Sequence, residues 1–156
     1  MLRVTKLTDY ATLVLTAMAS TPAAVHSAAD LAERAGLELP TVSKLLKLLA
    51  QAQLVQSFRG AAGGYRLTRE PEQIRLIHVL EAIEGPLAVT ECVGQSGQCG
   101  IEHRCEVRAN WRRINDVIAE ALTSVSLVDL LSPPPRGPVR RAGSSKQPIP
   151  LIVTSA

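Results

Sequence analysis

Apolar side chains recur at Leu7, Tyr10, Ala11, Val14, Leu15 and Met18, the three- and four-residue steps of one helix face, and predict a helix over residues 6–19. Thr5 or Thr8 can cap its start, and Ser20-Thr21-Pro22-Ala23 breaks it. Ser27 caps a second helix from Ala28 to Ala35, with Asp30 as a capping-box partner and Leu31, Ala32 and Ala35 as the buried face. Gly36 ends it. After a short turn, Pro40 opens a third helix that runs to about Gln51. Its apolar set is Val42, Leu45, Leu46, Leu48 and Leu49, and its polar set is Thr41, Ser43, Lys44 and Lys47. The period then changes. Residues 53–58 and 65–68 alternate as strands around the turn Arg59-Gly60-Ala61-Ala62-Gly63-Gly64, which predicts a hairpin with a Gly-rich tip. Ile74, Ile77, Leu80 and Ile83 restore helical spacing over residues 72–84, and Gly85-Pro86 stops it. His78 on that helix reads as structural or solvated. Val107, Trp111, Ile114, Val117, Ile118, Ala121 and Leu122 predict a long amphipathic helix. Ser126-Leu127-Val128-Asp129 opens a short last helix ending near Leu131.

Two short helices joined by a four-residue turn with glycine make a helix-turn-helix. Taken alone, the pair is also compatible with an ordinary amphipathic hairpin whose lysines are solvated. The hairpin that follows directly makes it a winged helix-turn-helix, in a mainly α fold with a two-stranded β-wing. The candidate DNA contacts are then specific. Thr41 and Ser43 allow close approach to base edges, and Lys44 and Lys47 reach phosphates or guanine acceptors. Arg59 at the wing tip suits the negative field of a minor groove. Ser57, Gly60 and Tyr65 on the hairpin complete the set. The long helix after Cys105 has no obvious partner within the chain, so pairing with a second copy, as a dimerisation helix, is expected.

Charge supports this division. Residues 1–69 carry eight Lys/Arg against four Asp/Glu, residues 70–133 five against ten, and residues 134–156 four against none. The basic first part is the natural face for a polyanion. Three regions are expected: a DNA-binding domain over 1–70, a cysteine loop with the dimerisation helix over 71–131, and a disordered basic, Pro-rich tail over 132–156. Aromatic residues are only 3% of the chain, so the core must be aliphatic. No apolar run is long enough to span a bilayer and no signal-peptide pattern is present, which points to the cytoplasm and to no membrane partner.

All three cysteines fall in one Gly-rich stretch, at Cys92, Cys99 and Cys105. The stretch has too little apolar material to fold on itself, and thiolate-bound metal or a cluster can hold it. An odd thiol count in a reducing compartment points the same way. Structural zinc sites contain a close Cys-x₂₋₄-Cys pair, which is absent. No Cys-x-x-Cys motif, Ser-His-Asp constellation or nucleotide loop supports an enzyme.

The run from Leu54 to Leu67, the opening Leu7-Thr8-Asp9-Tyr10-Ala11 and the three spaced cysteines resemble the Rrf-two family of bacterial winged-helix regulators over about residues 1–131. The resemblance implies a homodimer on palindromic promoter DNA and an iron–sulfur cluster, two-iron or four-iron, on Cys92, Cys99 and Cys105. The cysteines are separated by six and five residues here, whereas the IscR-like pattern has five and five. IscR-like members place a ligand histidine three residues after the last cysteine, where this chain has Arg108. NsrR-like members use an acidic residue from the partner's N-terminal helix, a position held here by Asp9. Asp9 is therefore the first candidate for the fourth ligand, His103 the second, and an exogenous or absent ligand the third. The segment Cys105 to Trp111 resembles the branch that controls SUF-type cluster assembly genes. The expected function is a cluster-sensing transcription regulator. A nitric oxide or redox-sensing repressor of the same family, or a cluster-free or zinc-binding winged-helix protein, is the alternative.

Overall fold

In the computed structural model, which describes residues 3–60, 62–94, 99–100 and 104–132, Thr5 caps α1 (Lys6–Ala19) by accepting the Thr8 backbone N–H at 3.3 Å. The helix buries Thr8, Ala11, Val14, Leu15, Met18 and Ala19, and Leu7 and Tyr10 of the predicted face are half-buried against the same core. Ser27 caps α2 (Ala28–Ala35) through the Asp30 N–H at 3.0 Å. Gly36 closes α2 at φ 65°, with its own N–H on the Glu33 carbonyl and the Leu37 N–H on the Ala32 carbonyl. That pairing needs a left-handed residue, which glycine supplies without a Cβ penalty. Helix α3 is Leu39–Gln51, one residue longer at its start than Pro40 suggested, with Pro40 inside the first turn.

The wing is β1 (Val55–Phe58) antiparallel to β2 (Gly64–Leu67), in register Val55 with Leu67 and Phe58 with Gly64. It is not free-standing. His26, before α2, adds a single-residue bridge to Tyr65: each backbone N–H donates to the other's carbonyl, at 2.9 and 2.8 Å. The His26 imidazole is buried and held as well. Arg34 Nη1 lies 3.2 Å from Nδ1, and Nε2 lies 3.3 Å from both the Thr21 carbonyl and the Thr21 hydroxyl. The other Arg34 terminal nitrogen donates to the Ala17 carbonyl and Ser20 Oγ, both at 2.6 Å, and so caps the C-terminal end of α1. Asp30 does not simply serve the α2 start: its carboxylate lies 3.6 Å from Arg34 Nη1 and 3.4 Å from His26 Nδ1.

The segment expected to be one helix over 72–84 is divided. Pro71–Gln73 is a 3₁₀ turn, Ile74 is extended, and α4 begins at Leu76 (Leu76–Glu84). The cause is a distant strand-like segment that takes the backbone groups a helix would use. Leu76 N–H donates to the Val125 carbonyl at 2.9 Å, and Leu127 N–H donates to the Ile74 carbonyl at 3.0 Å. His78 Nδ1 accepts the Arg75 N–H at 3.1 Å, so this histidine has a structural role at the start of α4. Helix α5 is Arg108–Ser124 and α6 is Leu127–Leu131, the latter closed by the reciprocal Ser126–Asp129 capping box. Ile74, Val79 and Leu127 lie in the same buried core as Leu15, Leu31, Leu45, Leu46 and Leu49. The packed body therefore continues past residue 70, and among the described helices only α5 buries none of its residues. The basic tail from 133 onward lies outside the described residues.

Glu84, at the end of α4, holds the start of α1. Its carboxylate accepts the Thr5 N–H and the Thr5 hydroxyl, both at 3.1 Å, and the Thr8 hydroxyl. These donors, the Thr8 hydroxyl first, hold its pKa below the ordinary glutamate range. A lowered pKa contributes stability that is present above the unfolded value and lost as pH falls through the folded one. Glu84→Gln should thus lower the melting temperature at neutral pH, and the gap to wild type should close on acidification below about pH 4. A gap constant from neutral to acid pH would refute the assignment. At the wing, a Cβ on Gly64 would collide with the His26 carbonyl. Gly64→Ala should cost more than about 1 kcal/mol in denaturant unfolding, because the bridge or the strand must shift.

Candidate nucleic-acid interface and cysteine loop

Helix α3 buries Val42, Leu45, Leu46 and Leu49, which directs its remaining positions outward. Lys44 and Lys47 are exposed, and Thr41 and Ser43 are half-buried beside them. The four polar residues expected to meet DNA thus occupy a short stretch of the second helix of the helix-turn-helix. On the wing, Val55 and Leu67 face the core. By the two-residue period of a strand, Ser57 and Tyr65, two positions along from Val55 and Leu67, share that side. Tyr65 packs against the core, and its backbone bonds His26, while Ser57 stays exposed. Arg59 and Gly60 are exposed at the tip, where the Gly60 carbonyl accepts the Gly63 N–H at 3.0 Å.

The opposite side of the wing carries Gln56, Phe58 and Arg66. The Arg66 guanidinium carbon sits 4.8 Å over the Phe58 ring centre, a cation–π stack that fixes a long side chain on the outward face. Sequence reasoning passed over Arg66. Strand parity was the available signal, since buried Leu67 puts Arg66 outward.

The cysteine loop begins at Gly85, which ends α4. The Thr90 carbonyl accepts the N–H groups of Val93 and Gly94 at 3.0 and 3.3 Å, forming a turn around Cys92. Val89 N–H donates to Asn115 Oδ1 at 3.1 Å, and Arg108 Nε donates to the Cys92 carbonyl at 3.4 Å. Thr90 Oγ1 lies 3.2 Å from Cys92 Sγ. All three cysteines are free thiols; Cys92 is buried, and Cys99 and Cys105 are half-buried. Three thiols suit soft metal ions and iron–sulfur clusters. Among the described residues, however, no three His, Cys, Asp or Glu side chains stand close enough together to hold one metal ion. His103 lies outside the described residues. Asp9 is exposed in the first turn of α1, next to the Thr8 that Glu84 holds.

Helix α5 leaves Trp111, Ile114 and Val117 at 36, 42 and 57% exposure, with Trp111 also lining a groove beside Leu80, Pro86 and Leu87. Among the described residues no helix is long and apolar enough to cross a membrane.

Comparison with known proteins fits these elements. The Rrf2 family, described as an iron-dependent transcriptional regulator, matches residues 4–133. The transcriptional regulator IscR of Aliivibrio salmonicida is 36% identical over 103 residues, covering 66% of this chain and 61% of that one. IscR of Vibrio parahaemolyticus is 33% identical over 133 residues, covering 81% of this chain and 77% of that one. The chain spans about three fifths of the length of the first of these curated relatives. Among solved structures, CymR, the global cysteine regulator of B. subtilis, superposes with a TM-score of 0.65 at 29% identity, covering 84% of this chain and 97% of that one. IscR of T. potens gives a TM-score of 0.63 at 30% identity, covering 83% and 86%. The chain belongs to the Rrf2 family of winged-helix transcriptional regulators.

Proposed function

We propose that this protein is a DNA-binding transcriptional regulator that acts as a homodimer on a palindromic promoter site and answers to an iron–sulfur cluster. The observation that carries the reading is the pairing of two features in one chain. One is a helix-turn-helix with exposed Lys44 and Lys47 and a wing fixed by His26. The other is a three-thiol loop bonded to α5. Lys44 and Lys47 serve α3 in the major groove, Arg59 enters the adjacent minor groove, and Arg66 meets phosphate from the outward wing face. The exposed apolar residues of α5 pair with those of a second copy, and two-fold symmetry then sets two half-sites. Such a protein works in the cytoplasm, where promoters are.

Cys92, Cys99 and Cys105 hold the cluster, with Asp9 of the partner subunit as fourth ligand and His103 as the local alternative. When bound, it supplies an oxygen-, iron- or nitric-oxide-sensitive brace for a loop with little apolar material. Genes for SUF-type cluster assembly are the matching targets, since their demand follows cluster supply. A cluster-free regulator of the same fold is the second reading, favoured by the separation of the three thiols among the described residues.

Binding to duplex DNA should weaken steeply with salt. Lys47→Ala, Arg59→Gln and Arg66→Gln should each weaken it and reduce the slope of log affinity on log salt by about 1. Unchanged slopes in all three would reject this interface. Anaerobically purified protein should show the absorption and Mössbauer spectra of a cluster, lost in Cys92→Ala, Cys99→Ala and Cys105→Ala and altered in Asp9→Ala or His103→Ala. A colourless, iron-free anaerobic protein that still binds its promoter would establish the cluster-free reading. Equal promoter affinity with and without the cluster, at matched salt, would remove the sensing role and leave DNA binding intact.

A further inference from the structure

Arg34 lies in the last turn of α2, in the basic part of the chain, yet its guanidinium is engaged by the protein itself. Nη1 lies 3.2 Å from His26 Nδ1 and 3.6 Å from the Asp30 carboxylate. Nη2 donates to the Ala17 carbonyl and to Ser20 Oγ, both at 2.6 Å. Both terminal nitrogens are therefore committed to the end of α1, to α2 and to the residue that precedes its cap. His26 carries the connection onward. Its buried ring sits between Arg34 and Thr21, and its main chain makes the two-bond bridge to Tyr65. Tyr65 pairs with Ser57 and Gly64 with Phe58, so the bridge enters β2 one pair short of the end of the ladder. Arg59 is the next residue after that end. A two-stranded ribbon this short is marginal by itself in water, so a fastening so near its tip bears directly on where the tip lies.

We propose that Arg34 is a positioning residue for DNA reading: it meets no phosphate, and it acts through His26 and Tyr65 to hold the wing where Arg59 enters the groove. The inference rests on the wing interface proposed above and adds the residue that aims it. By charge Arg34 belongs with the DNA-binding cations, but by geometry it belongs with the frame. A lysine at this position keeps the charge. Its ammonium is a single point, however, and cannot span His26 and the end of α1 as the two arms of the guanidinium do. Charge and span are thus separable.

Double-mutant cycles on the full chain test this, with a labelled duplex that the wild-type protein selects from a random-sequence pool as the probe. Arg59→Gln should weaken binding about tenfold in the wild-type background. In Arg34→Lys or Arg34→Met the same change should cost less than about threefold, because a displaced wing has already lost that contact. Lys47→Ala should keep its full effect in both backgrounds, since the buried face of α3 holds it independently of the bridge. Hydrogen exchange at the His26 and Tyr65 amides should quicken in both Arg34 variants more than at Leu45 and Leu46, which sets local loosening apart from a general loss of stability. Far-UV circular dichroism checks folding, and Arg34→Lys carries the cycle alone if Arg34→Met does not fold. A full Arg59→Gln effect in the Arg34 variants would overturn the positioning role and leave the wing interface standing. Wild-type affinity in Arg59→Gln itself would overturn that interface, and the positioning role with it. Exchange that quickens equally at all four amides, or at none, would reduce Arg34 to a stabilising contact and overturn the proposal.

Discussion

Two backbone hydrogen bonds between His26 and Tyr65 set the geometry on which the DNA-reading half depends. A two-stranded hairpin is marginal by itself in water. The bridge makes it the outer part of a three-segment sheet whose third member lies at the entrance to α2. The bridge thereby fastens the wing to the helix-turn-helix. The bridge can form only because Gly64 leaves room for the His26 carbonyl. The buried His26 ring has partners at both nitrogens, and the Arg34 beside it also caps the C-terminal end of α1. One cluster of polar contacts therefore fixes the wing, α2 and the end of α1 together. Loss of Arg34 removes a partner of the buried His26 ring, at a cost larger than that of losing an exposed bond.

The other end of α1 is held in the same manner by Glu84. A carboxylate at a helix N-terminus satisfies free N–H groups and meets the positive end of the dipole. Because Glu84 comes from α4, this contact ties α1 to the segment that leads into the cysteine loop. The return of the chain through Ser126 and α6 adds a second tie, since Leu127 is buried in the common core. The body is thus fixed at both ends of α1.

Most of this fold was legible because it is local. Three- and four-residue steps located α1, α2, α3 and α5, and the change to alternation with Gly-rich punctuation located the wing. What was not legible is non-local. Ile74 keeps helical spacing with Ile77, Leu80 and Ile83, yet it is extended, because residues 125–127 claim the backbone groups around it. Nothing near His26 in the chain announces a strand partner as distant as Tyr65. At the interface, the exposed lysines of α3 follow from the helix period. The inward place of Tyr65 and the outward place of Arg66 follow from strand parity, once the buried pair Val55 and Leu67 is known. Spacing shows that the three thiols share a loop. It says nothing of how near they stand, since a Gly-rich chain of this length has many conformations of similar free energy.

The described turn around Cys92 is held from α5: Asn115 Oδ1 accepts the Val89 N–H, and Arg108 Nε donates to the Cys92 carbonyl. Bonds of this kind fix the main chain of one thiol in advance, and so lower the ordering entropy that ligation at that thiol would cost.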